Sequence, residues 1–259
     1  MTALAVLWCW SGRGRYPSPM RIETTQGTEL RSLDDWKKLY DNPRQLHQWK
    51  EHRSAYSVAD FMVNKNGAAR LTARASSVLK EEVTFDRAIP EYEIRFDEYG
   101  RGRVHDLALF GRAGSGKSLF VGVEAKVDET FGASVHDAYL AARARKIVGE
   151  ATNAPGRIEK LLALHFSSPD VSMFDVRYQL LYATAGTLAA NADVSILYVV
   201  VFRTPLFDEA IVAENYRDYL AFVNKVGGHP IGIEDKSVLG HELKLGGRTL
   251  VCLHEYFDL

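Results

Sequence analysis

What this chain has little of narrows it first. Of its 259 residues only two are cysteine, Cys9 and Cys252, far apart and with no partner at metal-ligand spacing. That excludes a disulfide framework and a cysteine zinc site, and it points to a reducing, cytoplasmic setting. No stretch approaches twenty apolar residues free of charge, so no membrane span is expected. The apolar run at residues 4–8 is short, no positive residue precedes it, and Arg13 and Arg15 come after it, which is the wrong order for a secretion signal. Residues 1–19 read as a disordered tail, with Met20 a candidate start. An excess of one charge is also missing. The formal net charge is −1, so there is no bulk drive toward nucleic acid, and such a partner would need a local basic face. No zinc finger, winged-helix pattern, basic arm, internal repeat or low-complexity segment is visible.

A hydrophobic content of 46% is enough to bury the core of one globular domain, taken as residues 20–259. Residues 31–66 read as helical. Ser32 caps a helix carrying Leu33, Trp36, Leu39 and Tyr40, and Pro43 interrupts. Ser54 caps a helix over 55–65 that ends at Gly67. The aromatic residues here read as core, and His47 and His52 as structural. A second helix over 69–80 closes at Glu81 and Glu82, followed by a strand over 92–96 and a Gly/Arg turn over 99–103. Further on come helices over 135–148, 157–166 and 176–191, with a break at 153–156. Arg143, Arg145 and Lys146 on the first of these read as a solvated face, the alternative being a surface for a phosphate backbone. Residues 194–202 are continuously apolar, a strand buried on both faces. Residues 203–259 read as additions: a helix over 207–225, strand pieces at 231–233 and 249–254, and a hairpin turn at Gly246-Gly247. His229, His241 and His254 are scattered and read as structural or surface residues.

Residues 104–127, VHDLALFGRAGSGKSLFVGVEAKV, carry two competing signatures. GRAGSGKS, Gly111 to Ser118, fits the phosphate-loop pattern at every position. A phosphate loop must open a helix, whose N-terminus then faces the phosphate. The residues after Ser118 instead alternate with period two and are rich in β-branched types, which reads as a strand. Strand, Gly-rich turn and strand make a hairpin. The nucleotide-binding alternative is therefore disfavoured.

The second signature is Asp106, then seventeen residues, then Glu124-Ala125-Lys126. On a strand Glu124 and Lys126 share a face. Asp106 joins them if it lies opposite Glu124 or one pair diagonal to it. That requires an odd hairpin loop of three or five residues, closing at Arg112/Gly116 or Arg112/Ser118. Two carboxylates on adjacent strands form a hard oxygen site suited to Mg²⁺ or Mn²⁺. A lysine beside them can hold an attacking water and stabilise charge at phosphorus. The plainer alternative is a half-exposed hairpin with Glu124 and Lys126 paired on its solvent face.

The order α-β-β-β-α-β, with Asp106 on the second strand and Glu124-Ala125-Lys126 on the third, resembles the PD-(D/E)XK phosphodiesterase superfamily, the restriction-endonuclease-like fold. The wider string also resembles an uncharacterised bacterial family assigned to it, through Asp35-Trp36, His47-Gln48-Trp49, Arg53-Ser54-Ala55, residues 123–127, Phe131-Gly132 and Arg177-Tyr178-Gln179-Leu180-Leu181. The resemblance covers residues 33 to 202. It implies an α/β (α+β) fold with an αβββαβ core, over about 69–202, whose mixed sheet is flanked by helices. It also implies a Mg²⁺- or Mn²⁺-dependent nuclease acting on DNA, with a homodimer allowed. Asp106 and Glu124 would hold the metal and Lys126 would be the catalytic lysine. Gln179 would touch the site, with Arg177 supporting it. An extra acid would come from Glu82 or Glu81, with Glu91 as a weaker candidate. The sequence departs from the pattern in that no proline-aspartate pair precedes the hairpin, and the first acid comes directly after His105. A catalytically silent binding protein of the same fold is the alternative.

Overall fold

The computed structural model describes residues 20–42, 46–168 and 170–259. The expectations for residues 1–19, Cys9, Pro43 and the stretch around Gln45 lie outside them. Among the described residues the chain is a mixed α/β structure with one eight-stranded mixed sheet and seven α-helices. In chain order these are β1 (Arg21–Ile22), α1 (Leu33–Lys37), α2 (Ser54–Asn64), α3 (Gly67–Leu79), β2 (Val83–Ile94), β3 (Arg103–Ala113), β4 (Ser118–Lys126), α4 (Val135–Ile147), α5 (Ala154–His165), α6 (Tyr178–Ala189), β5 (Val194–Arg203), α7 (Glu209–Lys225), β6 (His229–Pro230), β7 (Leu239–Leu245) and β8 (Arg248–Asp258). The sheet order is β1-β2-β3-β4-β5-β8-β7-β6.

The hairpin expected at residues 104–127 is present. Arg112 pairs with Ser118, so the loop has five residues, and Gly116 takes the positive φ of 83° that closes it. Ser118 opens the strand β4, not a helix, and this overturns the phosphate-loop reading in its working geometry. β4 then pairs in parallel with β5, and β5 with β8. Because β5 lies in the middle of the sheet with helices on both sides, its interior residues are buried on both faces, as its unbroken apolar run suggests.

Two apolar layers hold the sheet. One packs α1, α2 and α3 through Trp36, Phe61 and Leu71 against Leu107, Leu109, Val121 and Val123. The other packs α5, α6 and α7 through Leu161, Leu181 and Phe222 against Leu197, Val199 and Cys252. Trp36, Tyr40 and Phe61 are buried, which fits their reading as core. Arg143, Arg145 and Lys146 are exposed.

Several boundaries differ from those expected, each for a local reason. β2 begins at Val83 rather than 92, because Val83 and Phe85 are buried by pairing with β3 while charged neighbours and Pro90 disguise the strand. Gly67 does not stop α2 but starts α3. The turn is made by Asn66 at φ 57°, and a Cβ on Gly67 would meet the Phe61 ring at 2.6 Å. Ser32 caps α1 as expected, accepting from the Asp35 amide at 3.1 Å, but Ser54 is the first residue of α2 and extended Arg53 precedes it without a side-chain cap. Residues 153–156 open α5, with Pro155 in the first turn, where its missing N–H costs nothing. A 3₁₀ turn, Val171–Asp175, precedes α6, which therefore starts at Tyr178. The turn at Gly246-Gly247 joins β7 to β8, and β6 falls at His229–Pro230 rather than 231–233. The stretch read as additions thus supplies α7 and three strands, one of them beside β5.

Candidate active site

The site lies where the sheet forks. The β3–β4 ladder runs from Arg112/Ser118 down to Leu107/Val123 and stops there. The next pair in this register would be Asp106 and Glu124, the placement expected from the loop length, but the strands part before they reach it. The Asp106 carboxylate, through Oδ2, accepts the Ala125 amide at 2.7 Å in place of a ladder bond. β4 stays paired with β5 through Lys126, whose partner is Val201. On the other side, Glu91 of β2 falls between the pairs Pro90/Leu107 and Tyr92/His105, so it comes opposite Asp106. Glu91 holds a left-handed φ of 50°, an uncommon backbone for a side-chain-bearing residue.

The fork opens a cavity of about 420 Å³ whose walls include Asp106, Glu124, Lys126, Gln179, Glu91 and Arg103. Glu124 is 2% exposed and Lys126 4%. They are not a solvent-face pair, so the plain hairpin alternative fails. Burial on this scale demands partners, and Glu124 has three. Arg103 donates to Oε2, Gln179 Nε2 donates to Oε1, and Lys126 Nζ sits 3.1 Å from Oε1. Lys126 Nζ also donates to Gln179 Oε1 at 3.1 Å and lies 5.2 Å from the centre of the Phe131 ring. Gln179 is the second residue of α6, whose first turn brings it over β4.

Burial dominates the electrostatics. It pushes the Lys126 ammonium below its ordinary pKa, against the pull of Asp106 and Glu129. It pushes the Arg103 guanidinium down as well. Burial, reinforced by the Asp106 charge, raises the Glu91 carboxyl to about 7, and the Tyr40 hydroxyl donates to Glu91 at 2.7 Å. Burial also raises Glu129, which is hydrogen-bonded to Ser54 at the start of α2. Arg53, beside it, reaches Asp128 at 3.3 Å.

The sequence-derived site is therefore partly assembled. Asp106, Glu124, Lys126 and Gln179 share one cavity. Glu81 and Glu82 do not belong to it. The Glu82 carbonyl accepts the Gly114 amide and the Glu81 carboxylate accepts the Ser115 amide, both at the hairpin tip. β2 is long, so the end of α3 lies at the far end of the sheet from Asp106, seven strand positions or roughly 23 Å away. Arg177 stays outside the cavity. It pairs with Glu214 at 2.7 Å and Asp218 at 2.8 Å on α7 and donates to the Gly132 carbonyl, which fixes the start of α6 and so the placement of Gln179. His47 lines the cavity wall, while His52 does not. Arg103 and Glu129 were not expected. Arg103 reads in the sequence as part of a turn, and only the register of β2 against β3 places it in the sheet.

The donor chemistry suits a hard divalent cation, because three carboxyl groups, Glu91, Asp106 and Glu124, come from adjacent strands and two of them repel. Among the described residues no three His, Cys, Asp or Glu groups already stand in ligand geometry. Both oxygens of Glu124 are turned to Arg103, Gln179 and Lys126, and one oxygen of Asp106 is turned to Ala125. Among the described residues no helix is long and apolar enough to cross a membrane. No curated protein and no solved structure matches the chain. A family model does match, over residues 29–252, from just after β1 into β8 and so across every residue of the cavity. The chain belongs to that family, described as a domain of unknown function, DUF6946.

Proposed function

We propose that the chain is a divalent-metal-dependent nuclease of PD-(D/E)XK type that hydrolyses phosphodiester bonds in DNA. The observation that carries this reading is the buried Glu124–Lys126 pair sharing one cavity with Asp106 at the fork of the sheet. The run of one helix, three antiparallel strands, further helices and a parallel strand around it supports a restriction-endonuclease-like core.

Asp106 and Glu124 would hold Mg²⁺ or Mn²⁺, with Glu91 adjoining. When bound, such an ion polarises a phosphoryl oxygen and acidifies water. Lys126 Nζ holds the attacking water toward phosphorus and gives a hydrogen bond to the negative charge that develops there. Gln179 keeps both Lys126 and Glu124 in place through its two amide atoms. The first turn of α2 lines the same cavity, and its backbone amides would face a phosphate backbone there.

A second reading, a catalytically silent protein of this fold that binds nucleic acid or protein, is favoured by one observation: protein donors already occupy both Glu124 oxygens. The deciding experiment is cleavage of plasmid, linear and single-stranded DNA with Mg²⁺ or Mn²⁺ by wild type and Lys126→Ala. Metal-dependent cutting that disappears in the variant establishes the nuclease and its substrate form. Metal binding without cutting selects the silent reading, and no metal binding removes the site assignment altogether.

A further inference from the structure

Arg103 is a charged group of the cavity, in direct contact with Glu124, that the proposed reaction does not use. It is the first residue of β3 and is 9% exposed. Its Nη2 pairs with Glu124 Oε2, and its Nε is buried with no partner. Beneath it lies Gly186 of α6, where an added Cβ would come within 2.6 Å of the arginine Cβ, so the backbone there is shaped to admit this side chain. Tyr182 of α6 flanks the guanidinium at 5.9 Å from its ring centre. The charge acts on Asp106 and Glu91 as well as on Glu124. Arg103 thus neutralises the same three carboxyl groups that a divalent cation would.

An arginine planar fork and a metal ion cannot both take the same carboxylate oxygen. We infer that Arg103 and the divalent cation are exclusive partners of Glu124, so that metal binding is an exchange in which the guanidinium leaves Oε2 and turns toward the open cavity. This rests on the metal-dependent reading above. It assigns Arg103 as a positioning residue that sets metal affinity and, once displaced, presents a cation to the substrate phosphate. The partnerless Nε fits a side chain whose hydrogen bonds are completed in only one of its two positions.

Two measurements test it. The first is Mn²⁺ affinity by calorimetry for wild type, Arg103→Met and Arg53→Met. Removing the competitor should tighten Mn²⁺ roughly tenfold or more. Arg53 lines the same cavity but pairs with Asp128, so its loss should change affinity by less than about threefold. Equal tightening in both variants means general cavity charge and overturns the exchange, as does unchanged affinity in Arg103→Met. The second is the arginine Nε–H signal of Arg103 in ¹⁵N-labelled wild type, titrated with Mg²⁺. It should shift and exchange faster with solvent as metal binds. A signal that stays fixed while Mg²⁺ saturates overturns the proposal even if Arg103→Met does not fold. Failure of wild type and both variants to bind either ion would instead overturn the metal-dependent reading, and this inference with it.

Discussion

The two ends of the β3–β4 hairpin carry the two motifs that the sequence offers, and they are built in opposite ways. At the tip, GRAGSGKS matches a well-known pattern residue for residue, yet its groups are engaged in ordinary surface chemistry. Lys117 is exposed. Ser118 gives its hydroxyl to Asp193 at 2.6 Å, and Gly116 closes the turn. At the base, the match is looser, but the charges are buried, interlocked and set on a cavity. The difference teaches that a motif is made by its backbone. The tip pattern needs a helix after it and gets a strand. The base pattern needs only two strands in the right register and gets them. Buried charge is costly to maintain without a use, whereas a polar turn at a hairpin tip needs no further reason.

That contrast can be broken or sharpened by experiment. If the proposed nuclease reading holds, the largest effect belongs to Asp106→Asn, which should lower metal-dependent DNA cleavage by about a hundredfold or more, since it removes a proposed metal-holding carboxylate. Lys117→Ala assayed alongside should leave cleavage within about twofold. Comparable losses in both would mean that the tip takes part after all. Next is stability. Glu124→Ala leaves Arg103 and Lys126 buried without their shared carboxylate and should cost about 3–5 kcal/mol in urea unfolding. Ser118→Ala at the tip should cost about 1 kcal/mol.

A smaller effect concerns pH. His105, beside Arg103, is held neutral by burial, with its pKa pushed down to about 3, and burial likewise lowers His165 and His254 to about 4. The folded form refuses protons that the unfolded chain accepts below its ordinary imidazole pKa of 6.5. Their contribution is therefore complete above pH 6.5 and is lost as the pH falls from there toward 4, on the order of 2 kcal/mol per imidazole by pH 5 as an upper limit. Thermal unfolding from pH 8 to 5 should show a flat region and then a decline. His105→Asn should make that decline shallower, whereas no histidine stands at the tip to do the same. The smallest effect is Lys117→Ala on stability, expected within about 0.5 kcal/mol.

How much of this could be read from the sequence depended on the range of the interaction concerned. The hairpin, its odd loop, the burial of β5 and the Ser32 cap all arise from neighbours in the chain. The closing pair Arg112/Ser118 was one of two allowed, and its parity placed Asp106 next to Glu124. What local pattern could not show was where the strands part, because that depends on the Asp106 carboxylate taking the Ala125 amide. β2 was too long to see, since Asp86, Arg87 and Pro90 interrupt its apolar alternation. With β2 read as starting at 92, Glu82 or Glu81 ranks above Glu91 as the extra acid, whereas the carboxyl that lies beside Asp106 is Glu91, toward the other end of the same strand. Arg103 was hidden among Arg101, Gly102 and other turn-like residues, and its partner is twenty-one positions away.

The place of β8 in the sheet has a consequence for biosynthesis. β5 is made well before β8, yet the two lie side by side in parallel from Ile196/Val251 to Arg203/Asp258. A nascent chain can assemble β2, β3, β4 and β5 while still attached to the ribosome, but β5 then presents a bare hydrogen-bonding edge and an uncovered apolar surface until residues 248–258 emerge. That interval is the period of greatest exposure to self-association. Translation stalled between β5 and β8 should therefore yield a product held by chaperones, and release of the last strand should be the step that frees it.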